Sequence, residues 1–426
     1  MSAVSVTPET TLDDVHIPLP LRGLVTGSIA FVLIGLMAMY TSGETFLNLG
    51  AGGTWLPELR IGVPARETLL GLLVIPAGFT AFAWVRAQAR KPVQVLPWVI
   101  LTVGFILAFL VWSGAGRNAV IPVTSLLAGG LGFSVPLVFG ALSGVVCERV
   151  GVVNIAIEGQ LLAGAFVAVV VANLFHTTWV GLIGAPIAGA LIGVLLAWFA
   201  INHEVDQIIV GVVLNVLVVG LTSFLFSTVL TEAGSFLNAG MRLPNIAIPL
   251  LSQIPILGPV LFNQTILVYL GYVFLVLLQI YLFRSQWGLR LRAVGEHPRA
   301  ADTVGINVNR TRWINTILGG ALAGLGGAYF TIGSGLAFGK EMTAGNGYIA
   351  LAAMILGRWN PMGALVAALM FGFSRNIANT LSIIGAPVPS QFLLMIPYVV
   401  TVLAVAGFVG RVTPPAAENI PYKSGH

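Results

Sequence analysis

The chain has 426 residues, of which 57% are hydrophobic and 8% charged, and its mean hydropathy is +0.96. That balance excludes an ordinary water-soluble domain. The formal charge of +5 does not point to nucleic acid, because the basic residues are scattered at the ends of apolar runs and form no patch interleaved with aromatics.

Cys147 is the single cysteine, which excludes an intrachain disulfide, and His16, His176, His203, His297 and His426 have no metal-ligand spacing. Asp13 and Asp14 precede the first basic residue, Arg22, and no small-residue cleavage pattern closes the apolar run that follows, so the first helix is expected to be retained.

A bilayer core of about 30 Å takes roughly 20 apolar residues per helical crossing. Runs of that length fall at 22–41, 68–86, 95–113, 122–146, 152–173, 178–200, 207–230 and 265–284, then at 312–333, 362–383 and 391–410, with a shorter run at 345–357. The expected fold is all-α, a polytopic transmembrane helix bundle of about 10–12 membrane segments. If the short run crosses, alternate loops and termini hold Arg22, Arg86, Arg90, Lys91, Arg149, Arg284, Arg290, Arg292, Arg299, Arg310, Arg312, Arg358, Arg411 and Lys423. Arg60, Arg66, Arg117, Arg242 and Lys340 fall on the opposite side. This excess of basic residues places both termini in the cytoplasm. Trp84, Trp98, Trp112, Trp179, Trp198, Trp287, Trp313 and Trp359 sit near segment ends, where an indole is most stable at headgroup level. The loops 42–67 and 231–264 then face outward, and the second, with Pro244, Pro249, Pro255 and Pro259, reads as an irregular lid.

Within the bundle, Ala185, Gly189, Gly193 and Ala197 recur every four residues, as do Gly319, Ala323 and Gly327, a pattern for close helix packing. A faint internal echo links VGVVN at 150–154 with VGINV at 304–308. The segment GSGLAFGKE at 333–341 resembles a phosphate-cradling loop but fails as one, because Ser334 stands where the first glycine belongs and Glu341 where a hydroxyl must follow the lysine. No serine elbow, metal-binding histidine pair or spaced carboxylate pair appears, so nothing positive supports catalysis by this chain.

The stretch GLRLRAVGEHPRAADTVG at 288–305 is built like a docking helix. Pro298 fixes the torsion of a first turn, Glu296 and His297 lie near the unsatisfied amides, Arg299 and Asp302 follow on the helix, and Gly305 can close it in a left-handed cap. A helix of about two turns is marginal in water and needs a partner surface to hold it. Earlier in the chain, Asn154 and Glu158 are four residues apart, on one helix face, with Glu158 about 10 Å into the span. An acid at that depth must be solvated or paired. It is a pathway contact, a pivot near a cytoplasmic gate, or an interhelical hydrogen bond. Asn215 poses the same question. Arg375, about 20 Å into its helix, faces a water-filled cavity, pairs with an acid such as Glu158, or snorkels outward, the last being favoured. Asn376 and Asn379 flank the next turn as pathway or packing groups.

The runs GVVNIAIEGQ, LRLRAVGEHPRAADTVGINV, GGALAGLGGAY, ALAAMILGRWNPMGALVAALMFGF and QFLLMIPYVVT closely resemble the permeases of nucleoside and simple-sugar ABC importers, a group that also includes ribose and branched-chain amino-acid permeases. The resemblance covers 122–410 in order. It implies an ABC permease core at 121–411 with a cytoplasmic coupling loop at 285–311, after an amino-terminal extension of three transmembrane helices at 1–120 and before a cytoplasmic tail at 412–426. It also implies a bacterial inner-membrane location, a second homologous permease subunit, a cytoplasmic ATP-binding subunit and an extracytoplasmic substrate-binding lipoprotein. This chain would bind no cofactor itself, ATP and Mg belonging to the ATPase partner, and its remaining surface would meet membrane lipid. In the family, the loop matching 288–305 contacts the ATPase. Ser374, Arg375 and Asn376 depart from the family pattern, which more often has an acid and small or apolar residues there, and this bears on the substrate. The competing readings are a stand-alone secondary transporter or channel, for which only Glu158 and Arg375 offer midplane titratable groups, a branched-chain amino-acid permease, and an integral-membrane enzyme lacking any visible catalytic cluster.

Overall fold

The computed structural model describes residues 21–57, 59–117, 120–231, 236–385 and 413–423, together with 389, 391, 392 and 395. The expected crossing at 391–410 and Arg411 lie outside the described residues. Among those described, nine helices are long and apolar enough to span a membrane. The chain divides into two compact units, one built on the residues up to Val123 apart from Gly50–Glu58, and one on Thr124–Ile383 with Gly50–Glu58 and the C-terminal segment.

The first unit holds α1 (Arg22–Met39), α2 (Ala65–Leu72), which continues almost directly into α3 (Val74–Gln88), and α4 (Val95–Gly114). Ile34, Ala38, Leu69, Ala108 and Val111 form one small core, and Ala30, Phe79, Ala83 and Leu101 another. The loop expected at 42–67 contains strands. β1 (Glu44–Asn48) pairs antiparallel with β2 (Arg60–Pro64) and parallel with β3 (Val120–Pro122). These strands satisfy backbone groups at the ends of apolar helices, where side chains offer few partners.

In the second unit, α5 (Val123–Glu148) is buried along most of its length. Its Leu137, Phe139, Leu142 and Val145 form the centre of the main core with Leu161, Phe371 and Met354. Around it stand α6 (Ile157–Leu174), α7 (Thr178–Ala197) and α8 (Gln207–Leu225), the last two each prolonged by one π-helical turn. The segment up to 265 is irregular, as its prolines require, but it is pinned by a short antiparallel pair, β4 (Asn245–Ala247) with β5 (Asn263–Thr265). Then come α9 (Ile266–Arg284), α10 (Gln286–Glu296), α11 (Pro298–Thr303), α12 (Val308–Gly327), α13 (Asn346–Leu356) and α14 (Pro361–Ile384).

The two small-residue stripes do not face each other. On α7, Gly189 and Gly193 meet the backbone of α12, but at Thr316, Gly320 and Gly324, whereas Gly319 turns to Cys147 and Ser143 of α5 and Gly327 to Leu161 of α6. A Cβ on Gly189 would collide with the Gly320 carbonyl oxygen, and one on Gly324 with that of Ala185. Helix α12 therefore touches three neighbours at backbone distance, which needs glycine on three faces.

The short run near 345–357 does not cross alone. At 11 residues, α13 is about 16 Å long, half a bilayer core. The preceding stretch, 331–345, is irregular, with Gly335, Glu341, Ala344 and Gly345 at positive φ. It starts where the Thr331 hydroxyl donates to the Ala165 carbonyl within α6. The far end of α13 lies where Arg149 donates to the carbonyls of Trp359 and Arg358. Residues 331–356 thus run from the middle of α6 to the Arg149 end of the unit, the first half irregular and the second helical.

Candidate functional site

Three of the sequence candidates, Glu158, Asn215 and Arg375, gather at the start of α13. Glu158 is in the first turn of α6, not a third of the way along a span, because the segment before Ile157 is non-helical. One carboxylate oxygen accepts the Thr343 hydroxyl at 2.6 Å and the Gly345 amide at 2.8 Å, and the other accepts the Gly347 amide at 2.6 Å. The carboxylate therefore caps the amino end of α13, where free N–H groups and the helix dipole favour an anion, and charge-assisted bonds to it are short. Gly347 carries no side chain because a Cβ there would strike the Glu158 backbone and carboxylate.

Asn215, from the middle of α8, ties down the other side of this junction. Its Oδ1 accepts the Gly159 amide at 2.8 Å, and its Nδ2 donates to the Ile155 carbonyl at 2.9 Å and to the Tyr348 hydroxyl at 3.3 Å. Arg375 approaches from α14 and neither snorkels nor meets Glu158. Its Nη1 donates to Asn346 Oδ1 at 2.8 Å, and its guanidinium stacks over the Phe133 ring 5.6 Å from the centroid. A partner one helix away was available, so an outward-reaching side chain would have forgone a charge-assisted bond. Asn346 closes the circuit by donating to the Thr343 carbonyl. Helices α6, α8, α13 and α14 thus meet in one hydrogen-bonded hub.

Asn154 does not belong to it. It lies in the turn before α6, so it shares no helix face with Glu158. Its amide pairs reciprocally with Gln160 at 3.0 and 3.2 Å and donates to Ser143 Oγ at 3.0 Å, a satisfied buried network that fixes the α5–α6 turn. Asn376 donates to the Leu126 carbonyl, joining α14 to α5.

A second cluster forms the end of the unit that the basic residues assign to the cytoplasm. Helix α11 has Pro298 at its first position. Gly305, at φ +83°, ends it: its amide bonds the Asp302 carbonyl, and that of Ile306 bonds Ala301, the paired bonds of a Schellman cap. Ahead of it, 286–296 is not loop but helix α10, capped by the Ser285 hydroxyl accepting from the Gly288 amide. Neither Glu296 nor His297 caps α11 with its side chain. His297 and Arg299 are exposed.

Glu296 and Asp302 bind the C-terminal segment. Glu296 Oε2 accepts the Ala416 amide at 3.2 Å, Gly295 O accepts the Ala417 amide at 2.9 Å, and Asp302 Oδ2 accepts the Tyr422 hydroxyl at 2.7 Å. Arg312, buried in the first turns of α12, donates to the Ile420 carbonyl at 2.9 Å. Lys423 pairs with Glu204 at 3.0 Å. The tail is thus a strap beneath α10 and α11. Sequence reasoning missed it because Pro414, Pro415 and Pro421 suppress any periodic pattern, and it missed Thr343, Asn346 and Tyr348 because their partners lie on distant helices. Among the described residues, no group of three or more histidine, cysteine, aspartate or glutamate side chains could hold a metal ion.

Nine helices of spanning length among the described residues, packed around a buried polar hub, define a multi-pass membrane protein. The chain belongs to the family described as branched-chain amino acid transport system / permease component, which matches residues 126–405. It is 39% identical to the guanosine ABC transporter permease protein of Bacillus subtilis over 69% of this chain and 94% of that one. It is 38% identical to a nucleoside ABC transporter permease protein of Lactococcus lactis, over 72% and 98%. A second nucleoside ABC transporter permease protein of Lactococcus lactis is 24% identical over 76% and 94%. No solved structure matches. The chain is therefore a transport subunit, in the bacterial inner membrane, not an enzyme.

Proposed function

We propose that this chain is one of two unlike permease subunits of an ATP-driven importer for nucleosides. The observation that carries this reading is the near full-length likeness to the guanosine and nucleoside permeases. That two permease proteins of Lactococcus lactis match at unequal identity supports pairing with a second homologous subunit. In this reading the α10–α11 platform docks on a cytoplasmic subunit that binds ATP and Mg, and an extracytoplasmic lipoprotein delivers substrate. Pro298 and Gly305 set the ends of the docking element, Glu296 and Asp302 tie it to the C-terminal segment, and the exposed His297 and Arg299 meet the ATPase. Glu158, Asn215 and Arg375 hold the start of α13 beside the pathway and need not touch cargo, since each already has protein partners. The amino-terminal helices up to 120 are an elaboration on this core.

Uptake of radiolabelled guanosine, ribose and leucine by cells with and without the gene tests the substrate. Loss of guanosine uptake alone is expected, and loss of leucine uptake alone would overturn the nucleoside assignment. Replacing Pro298 and Gly305 together should abolish uptake and copurification with the ATPase while the protein still reaches the membrane. Undiminished transport would refute the coupling role.

A further inference from the structure

Where α10 folds back beneath α9 and α12, a groove of about 530 Å³ opens, lined by Tyr281, Trp287, Arg290, Asn307, Arg310 and Ile314 among others. No acidic side chain lines it, so it carries two guanidinium charges without a counter-charge. Its deeper polar groups are already used: Tyr281 donates to Asn315, Asn315 to the Thr311 carbonyl, and Thr311 to the Asn307 carbonyl. The polar hydrogens left over are those at the mouth. Arg290 stacks over the indole of Trp287, 5.6 Å from its centroid, and both residues are exposed, as is Arg310.

The apolar continuation of the groove identifies its occupant. Ile314, which lines the groove, and Leu318, one helical turn further along α12, are 45% and 47% exposed, and on α9 Leu277, one turn from the lining Tyr281, and Ile280 are 52% and 50% exposed, so bare hydrocarbon continues from the groove along both helices. A site with two cations at the end of the spans, an indole at headgroup level and an apolar flank along the spans matches a molecule with an anionic head and long alkyl chains. We propose that this groove binds the headgroup of an anionic phospholipid of the cytoplasmic leaflet, with the phosphate between Arg290 and Arg310 and the acyl chains along Ile314, Leu318, Leu277 and Ile280. A soluble phosphate ester would satisfy the guanidinium groups but leave the hydrocarbon flank bare. An acidic protein loop would bring no chains to cover it.

The full-length protein in mixed micelles provides the test, with thermal unfolding followed in phosphatidylglycerol and in phosphatidylcholine. Two arginines, each worth about fivefold in partition to an anionic surface, should give a preference of about 25-fold for phosphatidylglycerol. The Arg290→Glu/Arg310→Glu variant should lose that preference with its midpoint in phosphatidylcholine unchanged, and Arg290→Lys/Arg310→Lys should keep most of it. Brominated-chain phosphatidylglycerol should quench Trp287, read as the difference between wild type and Trp287→Phe, more strongly than brominated phosphatidylcholine. That measurement does not depend on the charge-reversed protein folding. Equal lipid preference in wild type and the charge-reversed variant, or equal quenching by the two lipids, would overturn the proposal. So would stabilisation by glycerol 3-phosphate equal to that by the lipid, which would make this a site for free phosphate esters. Loss of a copurifying ATPase in the charge-reversed variant with lipid preference intact would also overturn it, and would make the groove a protein-docking surface.

Discussion

Replacing Glu158 with glutamine changes one atom and should loosen the amino end of α13. The carboxylate accepts from three donors, the Thr343 hydroxyl and the Gly345 and Gly347 amides. A glutamine has one acceptor oxygen, and its NH2 must face a backbone N–H that can only donate. At least one donor is left unpaired in a buried place, at about 1–3 kcal/mol, and the charge assistance on the others is lost, together with the favourable term at the helix end. A total of about 3 kcal/mol corresponds to a shift of roughly 150-fold toward the detached state. Because α13 is short and preceded by irregular backbone, it has little cooperativity of its own with which to resist. Hydrogen exchange on the protein in lipid nanodiscs should show amides 345–356 exchanging about 100-fold faster, those of α12 unchanged, and nucleoside uptake reduced. Unaltered protection across 345–356 would refute the capping argument, whatever happened to uptake.

Three further substitutions read other parts of the structure. Gly324→Leu drives a side chain into the Ala185 carbonyl across the α7–α12 contact, and a loss of about 2–4 kcal/mol is expected, seen as a lower thermal midpoint; Gly220→Leu, with open space around its Cβ, should leave the midpoint unchanged. Tyr422→Phe removes the hydroxyl bonded to Asp302 at a cost of about 1 kcal/mol, and proteolysis of the tail should quicken by several-fold. Burial raises the pKa of the Glu418 carboxyl, which sits beside Glu148, from its ordinary value. A raised value in the docked state means that docking is favoured at low pH and lost as pH rises through that value. Tail protection should therefore fall with rising pH in wild type and fall less steeply in Glu418→Gln, where the buried Glu148 remains to titrate.

The parts legible in the sequence were those whose causes are local or set by the bilayer. The first eight crossings followed from length and hydropathy, and the α11 ends from Pro298 and Gly305, whose backbone preferences act without distant partners. Helix α12 begins at Val308, four residues before the apolar run, because Arg310 and Arg312 mask its start; Arg312 is tolerated only because the tail covers it. The roles of Glu158 and Arg375 depend on partners 185–189 and 29 residues away in the chain. A guanidinium near a carboxylate-bearing helix invites an ion pair on paper, and only the fold reveals that the acid was already satisfied by a helix end. The strands of the first unit were invisible for a similar reason, since stretches of three to five residues between spans have no period long enough to register.

The irregular stretch at 331–345, packed among the spans, limits how this protein can move. Backbone that makes no helical bonds cannot be turned toward hydrocarbon without leaving bare peptide groups in oil, so residues 331–345 must stay sheltered by protein or water throughout a working cycle. Glu158 and Thr331 fasten both ends of that stretch to α6. An outward or inward opening that pulled α6 away from it would strip the shelter. The two must travel together as one rigid stave, and the flexing that alternates access must be found at the seams on either side of it.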